Sequence, residues 1–442
     1  MQTRARGVDS GHRASPLVCV LACVAKVPTG VHPVNDGSIW VMDDIALRYL
    51  LLGLRLGRHL PALVSSYYGP AQLSEAVDGE PLTPAAELHD EAMQLAGMAA
   101  ELPHDTAALR RRISWLVAQV GAMGALARRV GGEEIGYVDL VEDLYDIEVQ
   151  LEPDATFETA RGMLDAALAG SGPLRERLAS HDADGLIPRE RAIPLAAELS
   201  ARLRTRTRAQ LWLPERESVR IEAAHGVAAT VDARYLGAGG SVVRVNLDRP
   251  LTYATLVQIA AYEGYPGHHA EASVKDDLLV SAGNAELALI ARLSPQAVVS
   301  EGMAGIGREV VMSDQELGLE LQPLARSLDG RLDVEAELLV QRARRLLSPA
   351  LGNAAVALHR DGEPVSEVRS YLAEVGLVTD ESLDDTISNL TDPVLSTQPF
   401  THIEGRRLVS EWLEVHGQTQ GFGRLMAEQQ TPQGLRSELE PT

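Results

Sequence analysis

Beyond residue 23 this chain of 442 residues has no cysteine; Cys19 and Cys23 are its only two. A disulfide framework or a Cys-type zinc site across the rest of the chain is therefore excluded. Aromatic residues are scarce, at 4% with three Phe. Ala, Leu, Val and Arg dominate instead, a composition that favours helices. Basic residues are outnumbered, 40 against 62 acidic, for a net charge of −22. Such a surface repels phosphate backbones and anionic headgroups, which rules out nucleic acid as the main partner. Past the N-terminal region no apolar run reaches about 18 residues without charge, so no membrane-spanning helix is expected. Internal repeats and low-complexity blocks are also missing.

Hydrophobic residues make up 45% of the chain, enough for a sizeable core. The length allows one bilobed helical unit or two fused domains; of these we take a single large domain over 42–442. Residues 1–41 read differently. Arg4, Arg6 and Arg13 precede the apolar run Pro16–Ala25 and a Pro/Gly-rich stretch. Leu21-Ala22-Cys23 loosely resembles a lipoprotein box. The competing reading, which we prefer, is a flexible extension or an upstream start, with Met42 as initiator and a cytoplasmic product. A secreted or lipid-anchored form is the alternative.

Asp43-Asp44 opens a strongly helical pattern over Ile45–Tyr68, kinked at Pro61 and stopped at Gly69-Pro70. Helical periodicity returns over Pro84–Glu101, Asp105–Val130, Tyr137–Gln150, Ala155–Ala169 and Pro188–Trp212. The pattern then changes. Ser218–Ala223 and Gly240–Asn246 alternate and carry β-branched residues, so they predict strands. Helices are expected again at Leu251–Val280, interrupted at Pro266-Gly267, and at Ala285–Arg292, Pro295–Ser313, Val334–Leu347, Val365–Val375 and Arg406–Val415. The fold class is mainly α, with a small sheet beside the helix that carries the chemistry. An edge strand there can hold an extended peptide by strand addition.

That chemistry is concentrated in Tyr262-Glu263-Gly264-Tyr265-Pro266-Gly267-His268-His269, with Ser300-Glu301-Gly302-Met303-Ala304 downstream. Histidine nitrogens plus a carboxylate, with one position left open for water, are the parts of a hydrolytic zinc site. A further glutamate takes the proton from that water. Position 262 and His269 lie seven residues apart, about 10.5 Å along a straight helix, too far to grip one ion. Pro266 cannot continue the helix and Gly267 can absorb a distortion. A break there would swing His268 or His269 back over Glu263.

These segments resemble the bacterial "domain of unknown function 885" proteins, zincin-like relatives of the metallopeptidases. Their hallmark is H-E-x-x-P-G-H-H followed by a segment like S-E-G-x-A. Gly170-Ser171-Gly172-Pro173-Leu174, Val242–Asp248 and Glu404-Gly405-Arg406-Arg407-Leu408 look like further landmarks, and together they cover roughly 43–430. The resemblance implies a bilobed zincin-like helical fold. It also implies a divalent metal, zinc foremost, held by His268 and/or His269 with Glu301, and Glu263 as the base that activates water against a peptide or small amide. His402 and Arg406 are candidates for oxyanion or substrate-carboxylate contacts. One residue departs from the pattern: Tyr262 stands where the family has its first histidine. The alternative function is a non-catalytic descendant that keeps the fold to bind a peptide or partner.

Overall fold

Asp43 starts the first long helix, as its carboxylate accepts from the Ala46 N–H at 2.8 Å. This helix, α1 (Asp44–His59), ends two residues before Pro61, where the chain leaves the helical region. The computed structural model describes residues 30–33, 39–227, 229–327, 332–392 and 394–440. Cys19, Cys23 and the apolar run Pro16–Ala25 lie outside them. Strands β1 (Gly30–Pro33) and β2 (Ile39–Met42) form a short antiparallel pair ahead of α1. Ile45–Tyr68 is thus not one kinked helix. After Pro61 comes β3 (Val64–Tyr67), which pairs antiparallel with a strand more than 200 residues away.

The architecture is mainly helical. Helix α2 (Ala107–Val130) is capped by the Thr106 hydroxyl, which accepts from Leu109 N–H at 3.2 Å. Helix α3 (Arg189–Gln210) leads into a three-stranded sheet of β4 (Ser218–Ala224), β5 (Val231–Gly237) and β6 (Gly240–Asn246), in the order β4-β6-β5. β4 runs parallel to β6 and β5 antiparallel to it, so β5 is an edge. Then come α4 (Tyr253–Ile259), a wide turn over Ala260–Gly264 and α5 (His268–Lys275). The expected helix at Ala285–Arg292 is a short turn followed by β7 (Leu289–Ala291), the partner of β3. Helix α6 (Pro295–Val311) and helix α7 (Pro399–His416) complete the surroundings of the site.

Two large apolar cores are built from these elements. One gathers Leu50, Leu56, Leu116, Leu126 and Leu144 from the N-terminal helices, with Leu287 and Leu289. The other gathers Leu203, Val245, Leu256, Val299, Trp412 and Phe422. A smaller third cluster includes Phe157, Leu164 and Val340.

Helices α6 and α7 cross backbone to backbone. A Cβ on Gly302 would meet the carbonyl of Gly405, and one on Gly405 would meet the carbonyl of Val298 and the Gly302 backbone. The two glycines belong to the segments Ser300-Glu301-Gly302 and Glu404-Gly405-Arg406, so the crossing sets the separation of Glu301 and His402. Gly302→Ala is expected to push the helices apart and cost about 2 kcal/mol of stability, the usual toll of overpacking. Urea denaturation measures it, and an unchanged midpoint would refute the tight crossing.

Candidate functional site

The segment from Tyr253 to Val280 is broken where Pro266 and Gly267 sit, as the sequence predicts. Before the break the backbone widens to an i→i+5 turn, with Tyr265 N–H bonding the Ala260 carbonyl at 3.0 Å. Gly267 packs so closely on the Tyr262 and Ala261 carbonyls that a side chain could not fit. Its N–H bonds the Ala261 carbonyl at 3.0 Å. The break lays the start of α5 back over the turn that carries Tyr262 and Glu263. The rings of Tyr262 and His268 meet edge to face, 5.0 Å between centroids at 85°.

Three groups converge on one carboxylate oxygen, Oε2 of Glu301. The Tyr262 hydroxyl donates to it. His268 Nε2 lies at 3.1 Å and His402 Nδ1 at 3.4 Å, with His402 also 2.8 Å from the Tyr262 hydroxyl. Burial alone would lower the His268 pKa, but Glu301, Glu263 and Glu271 outweigh it and push it up to about 9. His268 is therefore an imidazolium at neutral pH and donates to Glu301. Burial would raise the Glu301 carboxyl, but His268, His402 and the Tyr262 hydroxyl hold it well below the ordinary range. Burial first, then Glu301 and Glu263, raise the Tyr262 phenol well above its usual value. It keeps its proton.

Glu263 lines the same cleft with no side-chain hydrogen bond among the described residues. Burial raises its pKa; His268 opposes this, and Glu301 adds to it. His269 points elsewhere. Adjacent helical residues project about 100° apart, so when His268 faces the cleft, His269 turns inward. It is 1% exposed, with Nδ1 2.8 Å from the Ser241 hydroxyl and Nε2 3.2 Å from Glu217. Arg406, unlike His269, does not line the cleft. It sits one turn beyond His402 on α7 and is held by the Gly305 carbonyl and by Glu309 at 2.9 Å. Thus Glu263, His268, Glu301 and His402 come together, and His269 and Arg406 do not join them.

Residues that bind zinc through histidine and carboxylate must aim lone pairs at one point. Here Tyr262 and His268 both direct protons at Glu301. Among the described residues no group of three or more His, Cys, Asp or Glu side chains is placed to hold a metal ion. The donor set at Tyr262, His268 and Glu301 does not fit a resident zinc ion.

Other residues in and behind the cleft wall complete the site. Glu217, 2% exposed, accepts from Arg204 Nε at 2.7 Å, Arg208 Nη2 at 2.6 Å and the Tyr265 hydroxyl, besides its contact with His269. Glu271 accepts from Lys275, from Gln296 at 2.9 Å and from Ser300 at 2.8 Å, tying α5 to α6. Trp115 and Gln119 reach the cleft from α2. The arginine pair was the one readable clue: Arg204 and Arg208, four apart on α3, share a face and need an anion. The cleft encloses about 290 Å³ between the two large cores. Its outer wall is β5, where Val231, Ala233 and Arg234 line it, with the exposed Arg292 after β7.

No protein-family model matches this chain, and no curated protein matches it. Among solved structures, it is similar to a lipoprotein candidate from Colwellia psychrerythraea, at 13% identity over 83% of this chain and 68% of that one, with a TM-score of 0.50. The two share a fold. A lipoprotein candidate of unknown function from Shewanella oneidensis aligns at 12% identity, over 87% of this chain and 77% of its own, with a TM-score of 0.48. Among the described residues no helix is long and apolar enough to cross a membrane.

Proposed function

We propose that this protein is a relative of the zincin-like metallopeptidases that keeps their cleft, has lost the metal site, and binds an extended peptide without hydrolysing it. The observation that carries this is the Tyr262 hydroxyl donating to Glu301 at the point where a ligand set would converge. The rival reading, a metal-activated water working with Glu263, requires that donor set to rearrange.

The edge strand supports the peptide. Hydrogen-bonded and non-bonded positions alternate along an antiparallel pair. Asn246 N–H bonds the Thr230 carbonyl at 2.9 Å, so with Val231 opposite Val245 the peptide groups of Asp232 and Arg234 face β6. Those of Val231, Ala233 and Tyr235 turn to the open side. The Tyr235 N–H there is taken by the Ser66 hydroxyl at 3.2 Å. Val231 and Ala233 offer their backbone to the cleft, which suits strand addition. Glu263 suits a peptide N–H on the facing side.

Ala233→Pro tests this. Its N–H faces the open edge, so proline there removes no ladder bond within the sheet. The variant is expected to keep its fold by circular dichroism and to lose about tenfold in affinity for alanine-based octapeptides. Unaltered affinity would discard β5 as the docking edge, and cleavage of the peptides by the unaltered protein would discard the non-catalytic reading.

For location, we propose the cytoplasm, with a lipid-anchored form as the alternative. The lipid-anchored alternative rests on Cys23 and on the lipoprotein description of the Colwellia protein. Detergent partitioning of the full chain beside Cys23→Ala separates the two.

A further inference from the structure

Gln119 is 1% exposed, lines the cleft, and leaves its side-chain nitrogen without a hydrogen-bond partner among the described residues. Trp115 and Gln296 nearby are engaged with each other. One turn earlier on α2, Trp115 Nε1 donates to Gln296 Oε1 at 2.7 Å. The Gln296 nitrogen in turn reaches Glu271 at 2.9 Å and Ser300 at 2.8 Å. This relay ties α2 to α6 and stops short of Gln119. A buried amide without a partner destabilises a fold, whereas an apolar group of the same shape does not. Its presence in a cleft wall therefore points to a partner supplied from outside.

We propose that Gln119, with Tyr49, Trp115, Leu287 and Leu289, forms a side-chain pocket that takes a neutral carboxamide, an Asn or Gln of the bound peptide. The inference rests on the peptide-binding reading above and specifies which residue the cleft selects. An amide presents one donor group and one acceptor, and another amide matches both. A methyl group would leave the Gln119 nitrogen unpaired. An ammonium brings donors only. The walls are aromatic and aliphatic, as the stem of a carboxamide side chain requires. The rings of Tyr49 and Trp115 lie 5.5 Å apart at 46°, and Leu287 and Leu289 close the side.

The local field argues against a carboxylate. Glu286 is fully buried behind this wall, paired with Arg112 at 2.7 Å. Burial raises the Tyr49 phenol well above its ordinary pKa, and Glu286 adds to the shift. Tyr68, on the same cleft, is raised likewise by burial, with Asp276 and Glu271 contributing. A second negative charge entering here would meet these carboxylates, while Lys275 is committed to Glu271 and the cations Arg234 and Arg292 stand at the outer wall of the cleft.

The test uses the full chain and acetylated, amidated alanine-based octapeptides carrying a single central Gln, Leu or Glu. Calorimetry is expected to show the Gln peptide binding about tenfold tighter than the other two. Gln119→Leu should erase that preference by weakening the Gln peptide, and keep or raise Tm. Gln119→Met, closer in length, should give the same loss of preference. Equal affinities for the three peptides in the unaltered protein overturn the pocket while leaving peptide binding intact. A preference that survives both variants, or a lowered Tm in both, overturns it as well. Failure of every peptide to bind removes the peptide reading and the pocket together.

Discussion

Tyr262→His is expected to bind zinc on the order of a hundredfold tighter than the unaltered protein. In the unaltered site the phenol proton is directed at Glu301, the carboxylate that any cation would need. Releasing that proton is costly, because burial and the carboxylates of Glu301 and Glu263 hold the phenol well above its ordinary pKa. A neutral imidazole removes the obstacle and supplies a lone pair at neutral pH. The rest of the set is close by, with His268 Nε2 3.1 Å from Glu301. Metal binding displaces the His268 proton, so the titration should release protons and show a buffer-dependent enthalpy. Calorimetry of the two proteins decides the matter. Equal affinities, or tight stoichiometric zinc in the unaltered chain, would show that position 262 is not the lost ligand and would favour an active hydrolase.

Glu217→Ala is expected to destabilise the fold by about 3 kcal/mol, the lower end of what removing one partner of a buried charge cluster costs. The lower end applies because Arg204 and Arg208 are partly exposed and can turn to water. His269 and Tyr265 cannot, and both lose their acceptor. Burial would raise the Glu217 pKa, but His269, Tyr265, Arg208 and Arg204 together lower it to about 2, from an ordinary 4.5. A depressed carboxyl stabilises the native state fully above the unfolded value and loses that contribution as pH falls through the folded one. The window here is therefore about pH 4.5 down to 2. Glu217→Gln, which cannot titrate, should flatten stability against pH in that window. Urea midpoints from pH 2 to 7 for the three proteins check both statements, and parallel curves would show that Glu217 does not carry the acid limb.

The sequence made legible those elements whose local pattern and tertiary role agree. Gly240–Asn246 alternates, carries three valines, and is the central strand of its sheet. Val334–Leu347 has an apolar stripe and an Asp333 cap, and it is a helix over that span. β3 and β7 were illegible because each is short and exists only through the other, across more than 200 residues. β5 was missed because Val231-Asp232-Ala233-Arg234 has one β-branched residue, and its strand form is dictated by β6. At the site, the break at Pro266-Gly267 and the meeting of His268 with Glu301 followed from the motif. The choice between His268 and His269 did not, since it depends on how the chain rotates as it leaves Gly267. Arg406 was misplaced because α7 begins at Pro399, not near Arg406, and one extra turn carries the guanidinium past the cleft.

The crossing at Gly302 and Gly405 has a consequence for how this cleft can change over evolutionary time. Main chain rests on main chain there, with the Val409 side chain alongside. The distance from Glu301 to His402 is thus a property of the two helices and not of the residues around them. Substitutions elsewhere in the lining can alter the shape and polarity of the cavity without moving that pair. The polar centre behaves as a fixed frame and the wall as an exchangeable surface, so relatives with different ligands should differ in the wall before they differ in the frame.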